Sequence, residues 1–405
     1  MLQMENVWKR NLTLIWIAEV LCFIGYGAAL PFIPFFMQEV LGVDETYAKV
    51  VAVPAFHICS TVSIAIVSPL WGIVADRFGR KIMLLRAFFV NALLMPAMVF
   101  SPNLWVLLVL RTMASMFSGT KSASKTLIAA TTPKEHQGFA LGVLSTAYWT
   151  GMMGGYFVGS MVVYHFGYTI AFICCGVSYF IGGIITLFTK EDFVPPPPGS
   201  KKRKIFDLSG LSPSVNILLV VILLTSIVRS LDAASITFKV QNLTGIGEGK
   251  KWVGYLSMFA AAGGVIAGFT LGKLADKVRT VPLMVPVLLA SGIFVAWQGA
   301  AHSMIMLCAA RFLTFCVAGG VEPILYAKLS RVVDPEKRGS VFGLSVTAMM
   351  AGSALGSAGN GILTKLAEVN GVFYITGLCY FVMIPVVYIT MTSVNRAAPH
   401  SVVNK

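Results

Sequence analysis

The sequence predicts an all-α membrane protein: twelve transmembrane helices in two pseudo-symmetric six-helix bundles. Three observations predict this. Of 405 residues, 57% are hydrophobic and only 12% are charged, where a soluble domain carries about a quarter charged residues. Apolar runs near the ~20 residues a spanning helix needs recur from one end of the chain to the other. The first set of runs also repeats in the second. Gly72-Ile-Val-Ala-Asp76 returns as Gly272-Lys-Leu-Ala-Asp276, Arg111 with Gly119 returns as Arg311 with Gly319, and Gly138 with Gly142 returns as Gly339 with Gly343.

The predicted spans are 12–37, 47–75, 82–101, 104–131, 138–164, 168–189, 213–238, 251–275, 281–300, 303–330, 339–367 and 370–392. Lys9 and Arg10 precede the first run, as in a signal peptide, but the run is too long for one and eleven more follow, so it reads as a retained helix. Residues 1–189 form the N-terminal bundle and 213–405 the C-terminal bundle, joined by a cytoplasmic linker at 190–212. Pro195–Pro198 make that linker extended and semi-rigid. Its basic cluster Lys201–Lys204 is either a topology signal or a contact for anionic lipid. A duplicated six-helix unit is a signature of secondary transporters, which bind substrate between the repeats.

The formal net charge of +14 does not point to nucleic acid. The basic residues sit in short loops between apolar runs, where they set topology, and no basic stripe with interleaved aromatics occurs. With the N-terminus inside, inner loops and tails hold 21 Lys and Arg and outer loops hold 5, so both termini are expected in the cytoplasm. The seven cysteines all lie in apolar runs and are odd in number, which reads as small buried hydrophobes rather than a disulfide framework.

The strongest motif is the inner loop after span 2, Gly72-Ile-Val-Ala-Asp76-Arg77-Phe-Gly79-Arg80-Lys81. Its glycines allow close helix contact and a tight turn. Asp76 is an acid at a helix end beside cations, able to pair in one conformation and release in another. Gly72, Asp76, Arg77, Gly79, Arg80 and Lys81, with Asp276 in the second half, are therefore the expected gating residues.

This stretch resembles the signature loop of the major facilitator superfamily, and the resemblance covers essentially the whole chain. Trp8-Lys9-Arg10-Asn11-Leu12, Ser68-Pro69-Leu70-Trp71-Gly72, Arg111 and Lys190-Glu191-Asp192-Phe193 resemble its multidrug-efflux branch, the twelve-helix drug:proton antiporters. The resemblance implies two bundles rocking around a central cavity lined by spans 1, 4, 7 and 10, in the inner membrane of the cell. It implies export of a small molecule by proton-coupled antiport. The branch's span-5 motif keeps Gly151, Gly155 and Gly159 here, which preserves a close-packing face. Tyr156 stands where the branch has proline and Ser160 where it has the last glycine.

The charges inside spans fall on the same four helices. They are Glu19 in span 1; Arg111, Lys121 and Lys125 in span 4; Arg229 and Asp232 in span 7; and Arg311 and Glu322 in span 10. A charge facing lipid costs at least a few kcal/mol, so such residues line cavities or pair. Glu322, Asp232 and Glu19 are the candidate proton-coupling acids, with Arg111 at the matching family position. Glu322 has a second reading, as a structural partner of Lys121, and Arg229 and Asp232 are close enough to pair with each other. Lys121 and Lys125 share a helix face, as do Arg311 and Glu322 by the period of an unbroken helix. Lys121, Lys125, Glu322, Arg311 and Tyr26 are the candidate substrate contacts. The two lysines disfavour lipophilic cations and favour an anionic or zwitterionic cargo, for instance a carboxylate siderophore.

No His-Glu-x-x-His pair, Gly-x-Ser-x-Gly elbow or Walker A sequence occurs, so enzymatic chemistry and direct ATP drive are not expected. A membrane receptor would not need the duplication. The expected partners are a small-molecule substrate, protons and membrane lipid, with no nucleic acid, no cofactor and no metal, for a monomer.

Overall fold

The computed structural model describes residues 2–133, 136–191, 193, 212–278, 280–333 and 338–397. The Pro195–Pro198 and Lys201–Lys204 segments of the predicted linker lie outside them. Among the described residues the chain is helical throughout, without strands.

Among the described residues eight apolar stretches are long enough to cross a membrane. Three of these are too long to cross only once: Phe139–Leu187 has 49 residues, Pro213–Leu271 has 59 and Val341–Val394 has 54. Each reverses at a residue with non-helical backbone, at Gly167 (φ 80°, ψ 179°), Gly245 (φ 75°, ψ 174°) and Glu368 (φ 57°, ψ 180°). Counting these three stretches twice gives eleven crossings. The twelfth is an interrupted helix, Leu104–Met116 followed by Thr120–Thr131. The fold is thus the twelve-helix membrane fold that hydropathy predicts. Large apolar side chains such as Leu93, Ile305 and Leu366 stand more than 75% exposed, as lipid-facing residues do.

Clustering by contact yields two compact units. One comprises Met1–Ala48, Ile66–Ile205 and Thr244–Met258; the other comprises Lys49–Ala65, Phe206–Leu243 and Phe259–Lys405. In the first unit span 5 lies directly on span 1. A Cβ at Gly151 would come within 2.7 Å of Val20 O, at Gly155 it would run into Ile24 O, and at Gly159 it would lie 2.6 Å from Ala28 O. In the second unit span 11 repeats this on span 7, with Gly352 against Leu223 O and Gly356 against Ile227 O. The glycine stripe seen in the sequence is therefore a helix-packing face in both halves. Gly72 departs from expectation: among the described residues a Cβ there meets nothing within 4 Å.

Lys239, expected in an outer loop, is instead buried. Its ammonium donates to Gly299 O at 2.9 Å and Asn370 Oδ1 at 2.6 Å, tying the end of span 7 to spans 9 and 12.

Candidate functional site

Spans 4 and 10 were expected as continuous helices and both are broken. Asn103 caps the start of span 4 by accepting from Val106 N, and Ser303 caps span 10 by accepting from Met306 N. Span 4 then stops at Met116 and restarts at Thr120, because Gly119 takes a left-handed φ of 118°. Span 10 stops at Ala318 and restarts at Val321 across Gly319-Gly320. A break inside a membrane frees carbonyls that need partners. Trp71 Nε1 donates to Met116 O at 2.7 Å and Arg86 Nη2 donates to Ser118 O at 3.0 Å. The Arg86 guanidinium also stacks over the Trp71 ring, 3.4 Å from its centroid. Sequence reading assigned neither residue this role.

The restarted half of span 4 forms one wall of a pocket in the first unit. Glu19, Phe23, Lys121, Ser124, Lys125 and Tyr148 are among its lining residues. Glu19 is 2% exposed and forms the floor. Ser124 Oγ donates to its Oε1 at 2.5 Å, while Oε2 is buried without a hydrogen bond. On the helix Thr120–Thr131, Thr120, Ser124, Leu127 and Ile128 turn inward, and Lys121 and Lys125 are exposed to the pocket. The Lys121 ammonium sits 4.2 Å from the centroid of the Tyr148 ring, which meets Phe23 edge-on at 4.9 Å. The structure thus brings together Glu19, Lys121 and Lys125 from the sequence reading and adds Ser124, Phe23 and Tyr148. Arg111 and Tyr26, also expected at the site, pair with each other in the same unit: Arg111 Nη2 donates to the Tyr26 hydroxyl at 3.3 Å.

The second unit has the counterpart where spans 7, 10 and 11 meet. Arg229, Glu322, Tyr326 and Met349 line a second small pocket there. Arg229 Nη1 donates to Glu322 Oε2 at 2.9 Å. Arg311 Nη1 donates to Asp232 Oδ2 at 2.5 Å and to Gln298 Oε1 at 3.1 Å, and Gln298 Nε2 donates on to Thr314 Oγ1 at 2.7 Å. Arg229 and Asp232 therefore do not pair with each other; each takes a partner from span 10. Between Arg311 and Glu322 lies the Gly319-Gly320 interruption, whose backbone stays near the helical region (Gly319 φ −60°, ψ −21°; Gly320 φ −86°, ψ −12°).

At the signature loop the described contacts centre on Glu191, a residue that the sequence reading named only as part of a motif. Its carboxylate accepts from the backbone N–H of Arg80 at 3.0 Å and of Lys81 at 2.8 Å, with the Arg80 guanidinium 3.8 Å away. The helix starting at Arg80 is thus capped by an anion. Lys81 Nζ donates to Leu187 O at 2.8 Å and Thr189 O at 2.7 Å. Gly79 lies against this carboxylate, where a Cβ would stand 3.2 Å from Glu191 Oε2. Arg77 lies over Phe78. The side chains of Asp76 and Asp276 lie outside the described residues.

Charge also clusters in the first unit around Glu39, Tyr164, Tyr168, Glu248 and Lys250. Lys250 Nζ stands 2.7 Å from Glu39 Oε2, which also accepts from the Tyr168 hydroxyl at 2.8 Å, and Tyr164 donates to Glu248 Oε1 at 3.0 Å.

Breaks at matched positions, mirrored pockets and a duplicated charge set describe a transporter, and sequence comparison decides which kind. The family model described as Major Facilitator Superfamily matches residues 15–297 and 253–403. The chain belongs to the Major Facilitator Superfamily. Over 389 residues it is 32% identical to the multi-drug resistance efflux pump PmrA of Streptococcus pneumoniae, covering 93% of this chain and 94% of that protein. It is 27% identical to multidrug resistance protein MdtG of Proteus mirabilis over 93% of this chain and 94% of that protein. Among solved structures, the human organic anion transporter MFSD10 superposes with a TM-score of 0.70 at 16% identity, covering 94% of this chain and 99% of that one. That likeness is one of fold. The protein is accordingly a multi-pass membrane transporter of the multidrug-efflux branch of this superfamily and not an enzyme.

Proposed function

We propose that this transporter exports a zwitterionic small molecule across the cytoplasmic membrane by alternating access, as a proton antiporter. Its functional bundles are 1–189 and 213–405, joined by the cytoplasmic linker 190–212, with both termini in the cytoplasm, the side favoured by the Lys and Arg bias of the loops. The relatives' description as multidrug efflux pumps supports export.

The observation that carries the reading is a buried carboxylate with one unpartnered oxygen, Glu19, at the floor of a pocket walled by Lys121 and Lys125. Antiport requires that the proton and the cargo compete. A proton on Glu19 releases the positive group of a cargo by neutralising the carboxylate that holds it. For a purely anionic cargo the sign is opposite: protonating Glu19 leaves the two lysines unneutralised and strengthens binding, which opposes exchange. A purely cationic cargo competes correctly but meets two ammonium groups, each repelling it by up to about 4 kcal/mol at 4 Å and an effective dielectric near 20. A cargo bearing both an ammonium and a carboxylate satisfies both walls. Glu19 is then the coupling acid, and Lys121 and Lys125 hold the carboxylate; Arg111 pairs with Tyr26 in the same unit. Asp232 is engaged by Arg311 and Glu322 by Arg229, so we assign them to holding spans 7 and 10 together.

The test is concentrative transport in proteoliposomes with an imposed pH gradient, using rhodamine B, a zwitterion, as the probe. Glu19→Gln mimics the protonated acid, so it weakens cargo binding, slows downhill movement and loses accumulation against a gradient. A Glu19→Gln protein that still concentrates the dye removes Glu19 from the coupling role.

A further inference from the structure

The pocket already contains a cation of its own. Glu19 at the floor and the Tyr148 and Phe23 rings at the wall are the parts of a site for an organic cation: a carboxylate beside ring faces, which attract positive charge through their quadrupoles. The face of Tyr148 is covered by the Lys121 ammonium, 4.2 Å from the ring centroid, and the Tyr148 edge is held by Phe23 at 4.9 Å and Trp149 at 5.0 Å, so the ring stays put. Lys121 projects from the first turn of the restarted helix Thr120–Thr131, directly after the Gly119 break, and its neighbour Ser124 on the same helix binds Glu19. The position of the ammonium is thus set by the same break and hydrogen bond that build the pocket.

We propose that Lys121 is a specificity-determining residue that acts as a tethered cation, filling the aromatic face of this pocket and excluding permanently charged organic cations. Removing it opens a site of opposite preference: Glu19 and the bare Tyr148 face, with only Lys125 opposing. The inference deepens the reading of this pocket as the cargo site, and it concerns which charges the pocket rejects rather than how transport is coupled.

The experiment is equilibrium binding to the purified full-length protein in detergent micelles, followed by fluorescence anisotropy. The probes are rhodamine B and its ethyl ester, which differ by one carboxylate; the ester is a permanent cation. Wild type is expected to bind the ester at least tenfold more weakly than the parent dye. Lys121→Gln, and Lys121→Met as a second variant of similar length, bind the ester at least tenfold more tightly than wild type, about 1.4 kcal/mol. Lys121→Arg keeps the exclusion, because a cation still covers the ring. Adding Tyr148→Leu to Lys121→Gln abolishes the gain. Equal ester affinity in wild type and both neutral variants overturns the inference, as does a gain that survives Tyr148→Leu. An ester gain in Lys121→Gln together with no binding of rhodamine B to wild type supports the tethered cation and refutes the zwitterionic cargo.

Discussion

Two arginine–carboxylate pairs in the second unit have the same chemistry and very different surroundings, and neutralising their acids should reveal it. The side chains of Arg311 and Asp232 are 12% and 8% exposed; those of Arg229 and Glu322 are 50% and 34% exposed. Asp232→Asn leaves the Arg311 charge buried with Gln298 Oε1 and a weak amide oxygen as acceptors. Breaking a buried pair from one side costs about 3–5 kcal/mol. Asn retains an acceptor, so the lower end applies. Glu322→Gln weakens a far more exposed pair and should cost about 0.2–1 kcal/mol, the range for exposed pairs. At about 2–4 °C per kcal/mol for a unit of this size, Asp232→Asn lowers Tm on the order of 10 °C, and Glu322→Gln by no more than about 4 °C. Thermal unfolding of the purified protein in one detergent, followed by tryptophan fluorescence, measures both. The double variant Asp232→Leu/Arg311→Met should recover most of the loss, since it removes the unpaired charge rather than exposing it. Equal shifts for the two acids, or a double variant no better than Asp232→Asn, would refute this argument.

Glu191→Gln weakens an anionic helix cap on the Arg80 and Lys81 amides and should destabilise by about 1–2 kcal/mol. The same unfolding assay reads it, and no shift would mean the cap is replaced by water. Glu368 is the one non-glycine with positive φ among the described residues, in a region nearly reserved for glycine at a cost of about 1–3 kcal/mol. Glu368→Gly relieves that and gives back up to about 1 kcal/mol in unfolded-chain entropy, so Tm should rise; a fall would show that the side chain contributes more than the strain costs.

What the sequence disclosed and what it hid divide along a physical line. Hydropathy and repetition are sums over twenty or more residues, so twelve crossings and two related halves were legible. So was the charge set, because an ionised group in an apolar run is conspicuous wherever it points. Pairing was not legible. It depends on which helices meet and on kinks such as the one Gly119 makes within a span that still reads as continuous. Arg229 and Asp232 were allowed to pair because they are three residues apart, whereas each finds a carboxylate or guanidinium partner on span 10, from a distant part of the chain. Glu191 was hidden for another reason: its partners, Arg80 and Lys81, are more than 100 residues away in the chain and offer backbone amides, which carry no residue signature. Lys239 misled by composition, since a lysine beyond an apolar run reads as a loop residue until Gly299 O and Asn370 appear beside it.

Proton antiport through Glu19 is tested most directly by watching protons. Wild-type protein is reconstituted in vesicles loaded with pyranine, with the membrane potential clamped by valinomycin and equal potassium, and rhodamine B is added outside. Dye entering in exchange for protons should raise the internal pH, and vesicles carrying Glu19→Gln should take up dye more slowly and with no pH change. Dye entry through wild type with internal pH unchanged or falling, or proton movement by Glu19→Gln equal to that of wild type, would contradict the account.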